Sequence, residues 1–425
     1  MSDKKPKASR ASAQDIRFFI AEHMKTRYNS ITMKTECRWL QPSGEDLVDK
    51  SWMEWHEMSD REVNTLWRKL EERGVRARVQ DFYSVINSDM TQSYNPIFEF
   101  IMSLESNGDD TDYIRMLADH VHVKPAEGQS HEAAQQEFYE YFRKWFVALL
   151  PSALLPDTVN NVVLTLIGPQ GCYKSSFFHY LLPQSLRRYF WNKGDAAHFD
   201  KDDRLRMTSH WLICLDEISA MTPRETSELN AAITMKLVNE RAPYARCTEQ
   251  RPHIASFCAT GNNLRFLTDR TGSRRWLPFE VESIDDPSTF DYHHQQLYSQ
   301  ARDLWMSHFR YWFDAAEVDR LRKRNRRFEV PNQELELIDL CYQLPKEGDD
   351  GILVSTADIM DRIKVYGHMG KDPSSVRIGQ AMKELGFLSV HTRLGMKYYV
   401  LERNVTDMEL KRQREGREFM SEQPF

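Results

Sequence analysis

The sequence predicts a multi-domain chain: an α/β core on a mainly parallel sheet, a helical region before it, and a helix–helix–ribbon piece after it. Three observations carry that prediction. Short apolar runs of strand length, Val162–Ile167, Trp211–Leu215 and Ile254–Ala259, alternate with helical stretches, as expected for strands buried on both faces. Ahead of them, apolar residues recur at helical spacing, as in Val63, Leu66, Trp67 and Leu70. Near the end, two helical stretches precede two strand-like runs, the order of a winged helix.

Taken in order, residues 1–14 read as a disordered tail and 15–159 as a helical region. Ser59 or Asp60 is a candidate N-cap, and Gly74 ends the helix that follows. Residues 105–112 read as an acidic loop. A helix is expected over Ala133–Leu150, closed by Pro151 and Pro156. The core is expected over 160–285, with helices over Ser175–Leu182 and Pro223–Asn239. A helical extension with the basic run RLRKRNRR follows over 286–345. The winged-helix-like piece occupies 346–404, with helices near Ser355–Val365 and Ser374–Leu385 and runs at Leu388–Thr392 and Tyr398–Leu401. A charged tail, frayed or a lone helix, fills 405–425.

The chain has 425 residues, which allows two to four domains at roughly 100–200 residues each. Its 41% apolar and 28% charged content excludes a disordered chain or a coiled-coil rod. A net charge of −6 excludes a uniformly basic nucleic-acid binder but not a local basic surface. The stretch 160–282 does carry a small basic excess. Six Cys without a CxxC pair argue against a disulfide scaffold or zinc ribbon and suit a reducing cytoplasm. Apolar runs near the roughly 20 residues that span a bilayer are absent, so no membrane partner is expected.

The chemistry concentrates after the first core strand. Gly168, Pro169, Gln170, Gly171, Cys172, Tyr173, Lys174, Ser175 and Ser176 lie between a predicted strand and a predicted helix, the context of a P-loop. There backbone N–H groups and a helix N-terminus would wrap phosphates. Lys174 would reach the β- and γ-phosphates of ATP, and Ser175 would ligate Mg²⁺. Tyr173 stands where the GxxxxGK[ST] pattern wants Gly, so its side chain must point away. About 40 residues on, Asp216 and Glu217 end the strand Trp211–Leu215. Asp216 would hold Mg²⁺ and Glu217 would polarise the attacking water. Asn262, at the end of the next strand, is a candidate to position that water. Arg274 and Arg275, in TGSRRW, suit transition-state charge stabilisation, and on an extended segment only one of them would reach the phosphate.

These elements, in this order, resemble the virulence-associated E family of phages and mobile elements. The residues that carry the resemblance are GPQGCYKSSF, WLICLDEI, NERAPYAR, ATGNN and FLTDRTGSRRWLPFEV, spanning about Val162–Val281. Weaker likeness extends upstream through RYNSITMKTECRW and YNPIFEFI. The resemblance implies an AAA+-like ATPase core similar to superfamily-3 helicases. It also implies ATP and Mg²⁺ as cofactors, nucleic acid (DNA) as partner and a homo-oligomeric, hexameric ring. It implies a nucleic-acid-stimulated ATPase and DNA helicase in mobile-element replication. The alternative is a DNA-binding initiator or loading scaffold that binds ATP to assemble with little turnover. The residues by themselves do not choose between DNA and RNA.

Other residues remain open in the sequence. Arg241, Arg246 and Arg251 lie where superfamily-3 rings carry a DNA-tracking hairpin; they would line a pore or make subunit contacts. The run Arg320–Arg327 reads as a phosphate-binding strip or a solvated linker helix. Ser374, Ser375, Arg377, Lys383, Arg393 and Lys397 would serve duplex or protein binding. His120-x-His122 lacks partners at metal-ligand spacing.

Overall fold

A computed structural model describes residues 10–41, 54–196, 198–218, 221–240, 248–268, 273–330, 333–346, 348–367, 373–393 and 395–421. The chain divides into two compact units, Met1–Glu329 and Val330–Phe425.

The first unit opens with helix α1 (Ala13–His23), so the tail expected over 1–14 gives way to ordered chain by Arg10. Ser12 caps α1 in a capping box with Asp15. The region expected to be helical also contains a four-stranded sheet, a correction to the sequence reading. Its strands are β1 (Met24–Asn29), β2 (Lys34–Trp39), β3 (His56–Glu57) and β4 (Ser93–Tyr94), ordered β3-β2-β1-β4. In β2, Thr35, Glu36 and Cys37 are all buried, so no apolar–polar alternation marks it as a strand. Helices α2 (Asp60–Glu72), α3 (Val79–Ile86) and α4 (Pro96–Ser103) complete this layer. Glu36 is fully buried and held by Arg27, Asn29, Tyr94 and Arg188, satisfying a charge that would be costly alone.

Helix α5 (Tyr113–Asp119) and strand β5 (Val121–Val123) lead to α6 (His131–Leu154). Helix α6 does not stop at Pro151: it runs one turn further, and Leu155 N donates to Pro151 O at 2.9 Å. A Pro in the last turn removes one amide donor without blocking the remaining turn. Phe138, Phe142, Trp145, Phe146 and Leu149 of α6 are fully buried. The Trp145 indole donates to Phe257 O at 2.9 Å and the Trp211 indole to Leu149 O at 3.0 Å. Each ring thus adds apolar burial and a fixed polar link between helix and sheet.

The central sheet follows. It contains β6 (Val163–Ile167), β7 (Phe190–Lys193), β8 (Leu212–Leu215), β11 (Ser256–Gly261) and β12 (Trp276–Ile284), ordered β5-β12-β6-β11-β8-β7. All neighbours are parallel except β5 with β12. Helix α7 (Lys174–Leu181) follows β6, α8 (Lys201–Arg206) follows β7, and α9 (Pro223–Thr234) follows β8. The helix expected to reach Asn239 ends at Thr234. A short antiparallel pair, β9 (Leu237–Glu240) with β10 (Glu249–Pro252), comes next. Strand β12 was not anticipated as a core strand, because its Pro278 argues against one. Pro278 pairs with β6 alone, since β5 joins β12 only from Val281 onward. Helices α10 (His294–Met306) and α11 (Ala315–Asn325) close the unit.

The second unit starts sixteen residues before the expected 346. Helix α12 (Gln333–Cys341) buries Ile338, Leu340 and Cys341 in the same core as the later elements. Those are β13 (Tyr342–Gln343), β14 (Ile352–Ser355), α13 (Thr356–Gly367), α14 (Ser375–Glu384), β15 (Leu388–Thr392), β16 (Gly395–Glu402) and α15 (Val405–Ser421). Strand β16 pairs antiparallel with β13, β14 and β15. Among the described residues, no helix is long and apolar enough to cross a membrane.

Candidate functional site

The parallel sheet brings the sequence-predicted residues to one edge. Strands β6, β11 and β8 lie side by side with β11 in the middle. The loop 168–173, Asn262 and Asp216 therefore emerge together at their C-terminal ends, where open α/β sheets bind ligands. Two glycines make the approach possible. A Cβ at Gly168 would meet Val281 O at 2.6 Å, and one at Gly261 would meet Ile167 Cδ1 at 2.9 Å. Gly168 N donates to Gly261 O at 3.0 Å, tying the loop to β11.

Lys174 is buried at 7% exposure, and its ammonium lies inside the loop. It donates to Gly168 O at 2.9 Å, Pro169 O at 2.6 Å and Asn262 Oδ1 at 3.2 Å. Ser175 Oγ donates to Asp216 Oδ1 at 2.8 Å, and Thr260 donates to the same oxygen. Asn192 donates to Asp216 Oδ2 at 3.0 Å. Burial alone would raise the Asp216 carboxyl, but the bonds from Thr260, Asn192 and Ser175 outweigh it and hold it below the ordinary carboxylate range. Thr260 and Asn192 are site residues the sequence reading missed. Thr260 precedes Gly261 in the quoted TGNN run, and its role shows only once β11 sits beside β8.

Tyr173 and Glu217 both adopt left-handed backbone, at φ 63° and 53°, a cost of roughly 1–2 kcal/mol each for a non-glycine residue. Tyr173 occupies the N-cap position of α7 and is 44% exposed. Gly171 takes φ 85° with nothing near its missing Cβ. Glu217, Asn262 and Ser176 are exposed. The Glu217 carboxylate has no hydrogen-bond or ion-pair partner among the described residues, and its backbone N–H reaches Thr260 Oγ1 at 3.4 Å. The loop backbone, Lys174, Ser175 and Asp216 together fit a nucleoside triphosphate with Mg²⁺: donors for phosphate on one side, a hydroxyl and a carboxylate for the ion on the other.

Arg274 and Arg275 are not part of this cluster. They form a short 3₁₀ turn, Ser273–Arg275, leading into β12, whose first residue Trp276 pairs with Val163 at the start of β6. The pair thus sits at the N-terminal edge of the sheet, opposite the loop 168–173. The turn directly precedes the core strand β12. Asn325, fully buried on α11, anchors the turn by donating to Ser273 O at 2.7 Å and Trp276 O at 2.9 Å. Arg274 is exposed and Arg275 half-buried.

The basic run is not a fully solvated helix. Leu321 and Asn325 are buried within it, and Phe328 directly after it. The Arg324 guanidinium lies 4.0 Å over the Phe279 ring and 3.2 Å from Glu137. The outward residues are Arg320, Arg322, Lys323 and Arg326. Arg251 lies on β10 opposite Val238 of β9. Arg241 and Arg246, expected at the tip of the same pair, lie outside the described residues. His120 and His122 both hydrogen-bond Asp285, at 2.8 and 3.0 Å. In the second unit Arg377 pairs with Glu334 at 3.4 Å and Lys383 is exposed.

No curated protein matches this chain. Similar solved structures include the apo structure of the NrS-1 C-terminal region (305-718), at 10% identity and a TM-score of 0.46. That match covers 91% of this chain and 98% of the other. The A form apo structure of the same region has 10% identity, the same coverage of both chains and a TM-score of 0.44. Residues 127–330, which hold the whole cluster described above, match the family model of the virulence-associated protein E-like domain. Those residues are thus a virulence-associated protein E-like domain within the chain.

Proposed function

We propose that this protein is a Mg²⁺-dependent P-loop ATPase acting on nucleic acid in the replication of a phage or other mobile element, as an oligomeric DNA helicase. The observation that carries the reading is the convergence of Lys174, Ser175, Asp216 and Asn262 at the C-terminal edge of three adjacent parallel strands. Lys174 and the loop amides would hold the phosphates; Ser175 and Asp216 would ligate the ion. The ion would supply charge neutralisation at the transferring phosphoryl group. Glu217, exposed beside Asp216, would orient and polarise water, with Asn262 fixing its position. To hold a phosphate, Lys174 would exchange its bonds to the Gly168 and Pro169 carbonyls for phosphate oxygens.

Arg274 stands too far from its own loop to act there, which favours a ring in which it serves a neighbour. The β9–β10 pair with Arg251 is in the place for strand contact, and the winged-helix-like second unit would bind DNA or a protein partner. Tyr173 favours a second reading, an initiator or loading scaffold with little turnover, because its left-handed backbone is strained at the phosphate loop.

The test is ATP turnover with and without single-stranded DNA and RNA, alongside the oligomer mass. DNA-stimulated turnover by an oligomer supports the helicase. ATP-driven assembly without turnover supports the scaffold. Absence of ATP binding overturns both.

A further inference from the structure

A second cluster of ligating side chains lies far in sequence from the nucleotide site, in the N-terminal layer. Cys37 on β2 and His56 on β3 are direct cross-strand partners. Glu62 is the third residue of α2, held there by its capping box with Ser59. Cys37 Sγ lies 3.6 Å from His56 Nε2 and 3.4 Å from Glu62 Oε1, and the latter two atoms are 2.7 Å apart. We propose that Cys37, His56 and Glu62 form a three-ligand site for a zinc-class divalent cation, with the fourth position open to water.

Four observations support it. Sulfur, imidazole nitrogen and carboxylate oxygen are the donor set that zinc takes, whereas Mg²⁺ and Ca²⁺ require oxygen. Bond lengths of about 2.3 Å to sulfur and 2.0–2.1 Å to nitrogen and oxygen put tetrahedral edges near roughly 3.5 Å from sulfur and 3.3 Å between nitrogen and oxygen. Both sulfur distances already match, and only the His56–Glu62 edge must open, by about half an ångström on that geometry. The outer contacts are those of a ligand set. His56 Nδ1 bonds Glu54 O at 3.0 Å, which turns Nε2 towards Cys37 and Glu62. Trp39 Nε1 donates to Glu62 Oε1 at 3.0 Å, and Ser59 N and Oγ hold Oε2 at 2.8 and 2.9 Å.

The fourth observation is access. Cys37 is fully buried, but the His56 side chain is 40% exposed, so an ion and its water have a solvent-facing path. Two strands and a helix start would then be clipped together by one ion.

Cobalt(II) is the probe, added to the full-length protein under reducing, oxygen-free conditions. The expected result is one Co²⁺ per chain with a near-ultraviolet thiolate charge-transfer band and visible bands of tetrahedral strength, displaced by Zn²⁺. Cys37→Ser loses the near-ultraviolet band, while Cys172→Ser, which alters the nucleotide loop's own cysteine, retains it. His56→Gln, at a half-exposed position, weakens binding by more than about tenfold. A protein without the thiolate band overturns the proposal. So does a band that survives Cys37→Ser or one lost only in Cys172→Ser. If Cys37→Ser does not fold, unchanged affinity in folded His56→Gln overturns it equally.

Discussion

If Arg274 serves a neighbouring subunit, as proposed, Arg274→Ala should leave ATP binding intact and nearly abolish turnover. The parallel register runs from Trp276 opposite Val163 to Glu280 opposite Ile167. At about 3.3 Å per residue, those four steps separate the start of β12 from the phosphate-loop end of β6 by roughly 13 Å. Arg274 lies two residues before β12, further still from the loop. The gap exceeds the reach of an arginine side chain, so a role on its own nucleotide is excluded by distance. An arginine supplied in trans is worth about 10³–10⁵ in rate, or about 4–7 kcal/mol at 1.36 kcal/mol per tenfold. Steady-state phosphate release and fluorescent-ATP titration separate the two effects. Mixing Arg274→Ala with Lys174→Ala then tests the geometry. In a randomly mixed 1:1 head-to-tail ring, about a quarter of interfaces join an intact loop to an intact arginine, so about a quarter of the parental rate should return. No recovery at any ratio, with subunit exchange demonstrated, refutes the trans assignment; parental turnover by Arg274→Ala alone refutes any catalytic role.

Lys174→Ala should lose nucleotide binding, while Glu217→Gln should bind ATP normally and lose hydrolysis; a Gln variant at the parental rate removes Glu217 as the base. Tyr173→Gly should change ATP affinity little, because the tyrosine is exposed and glycine adopts the same backbone freely, whereas Tyr173→Val should weaken it about tenfold, since a β-branched residue tolerates φ 63° poorly. Equal affinities in the two variants would show that the backbone angle is unimportant. Burial lowers the fully enclosed His253 imidazole to about 4, against about 6.5 unfolded. Below pH 6.5 the unfolded chain takes up a proton that the native one refuses, so stability should fall between pH 6.5 and 4 by about 3 kcal/mol and then level off. His253→Gln should flatten that part of the profile in denaturant titrations; an unchanged slope would assign the acid sensitivity to other groups.

By itself the sequence marked the residues of the proposed nucleotide site. Gly168–Ser176, Asp216-Glu217 and Asn262 are each local, carried by a strand end whose apolar run is visible in one dimension. It also marked the alternation that demands a buried parallel sheet, and the helix–helix–ribbon order of the second unit. It did not reveal the N-terminal sheet, because β2 buries Glu36 and Cys37 together and lacks a two-residue period. Nor did it reveal β12, because a strand paired on one side at Pro278 breaks the usual composition rule. Only the tertiary structure decided that Arg274 and Arg275 lie on the opposite edge from Lys174, that Thr260 and Asn192 hold Asp216, and that Arg324 and Asn325 are interior. The reason is physical: strand order and cross-strand register are long-range choices set by packing both sheet faces, and no residue carries them in its own neighbourhood.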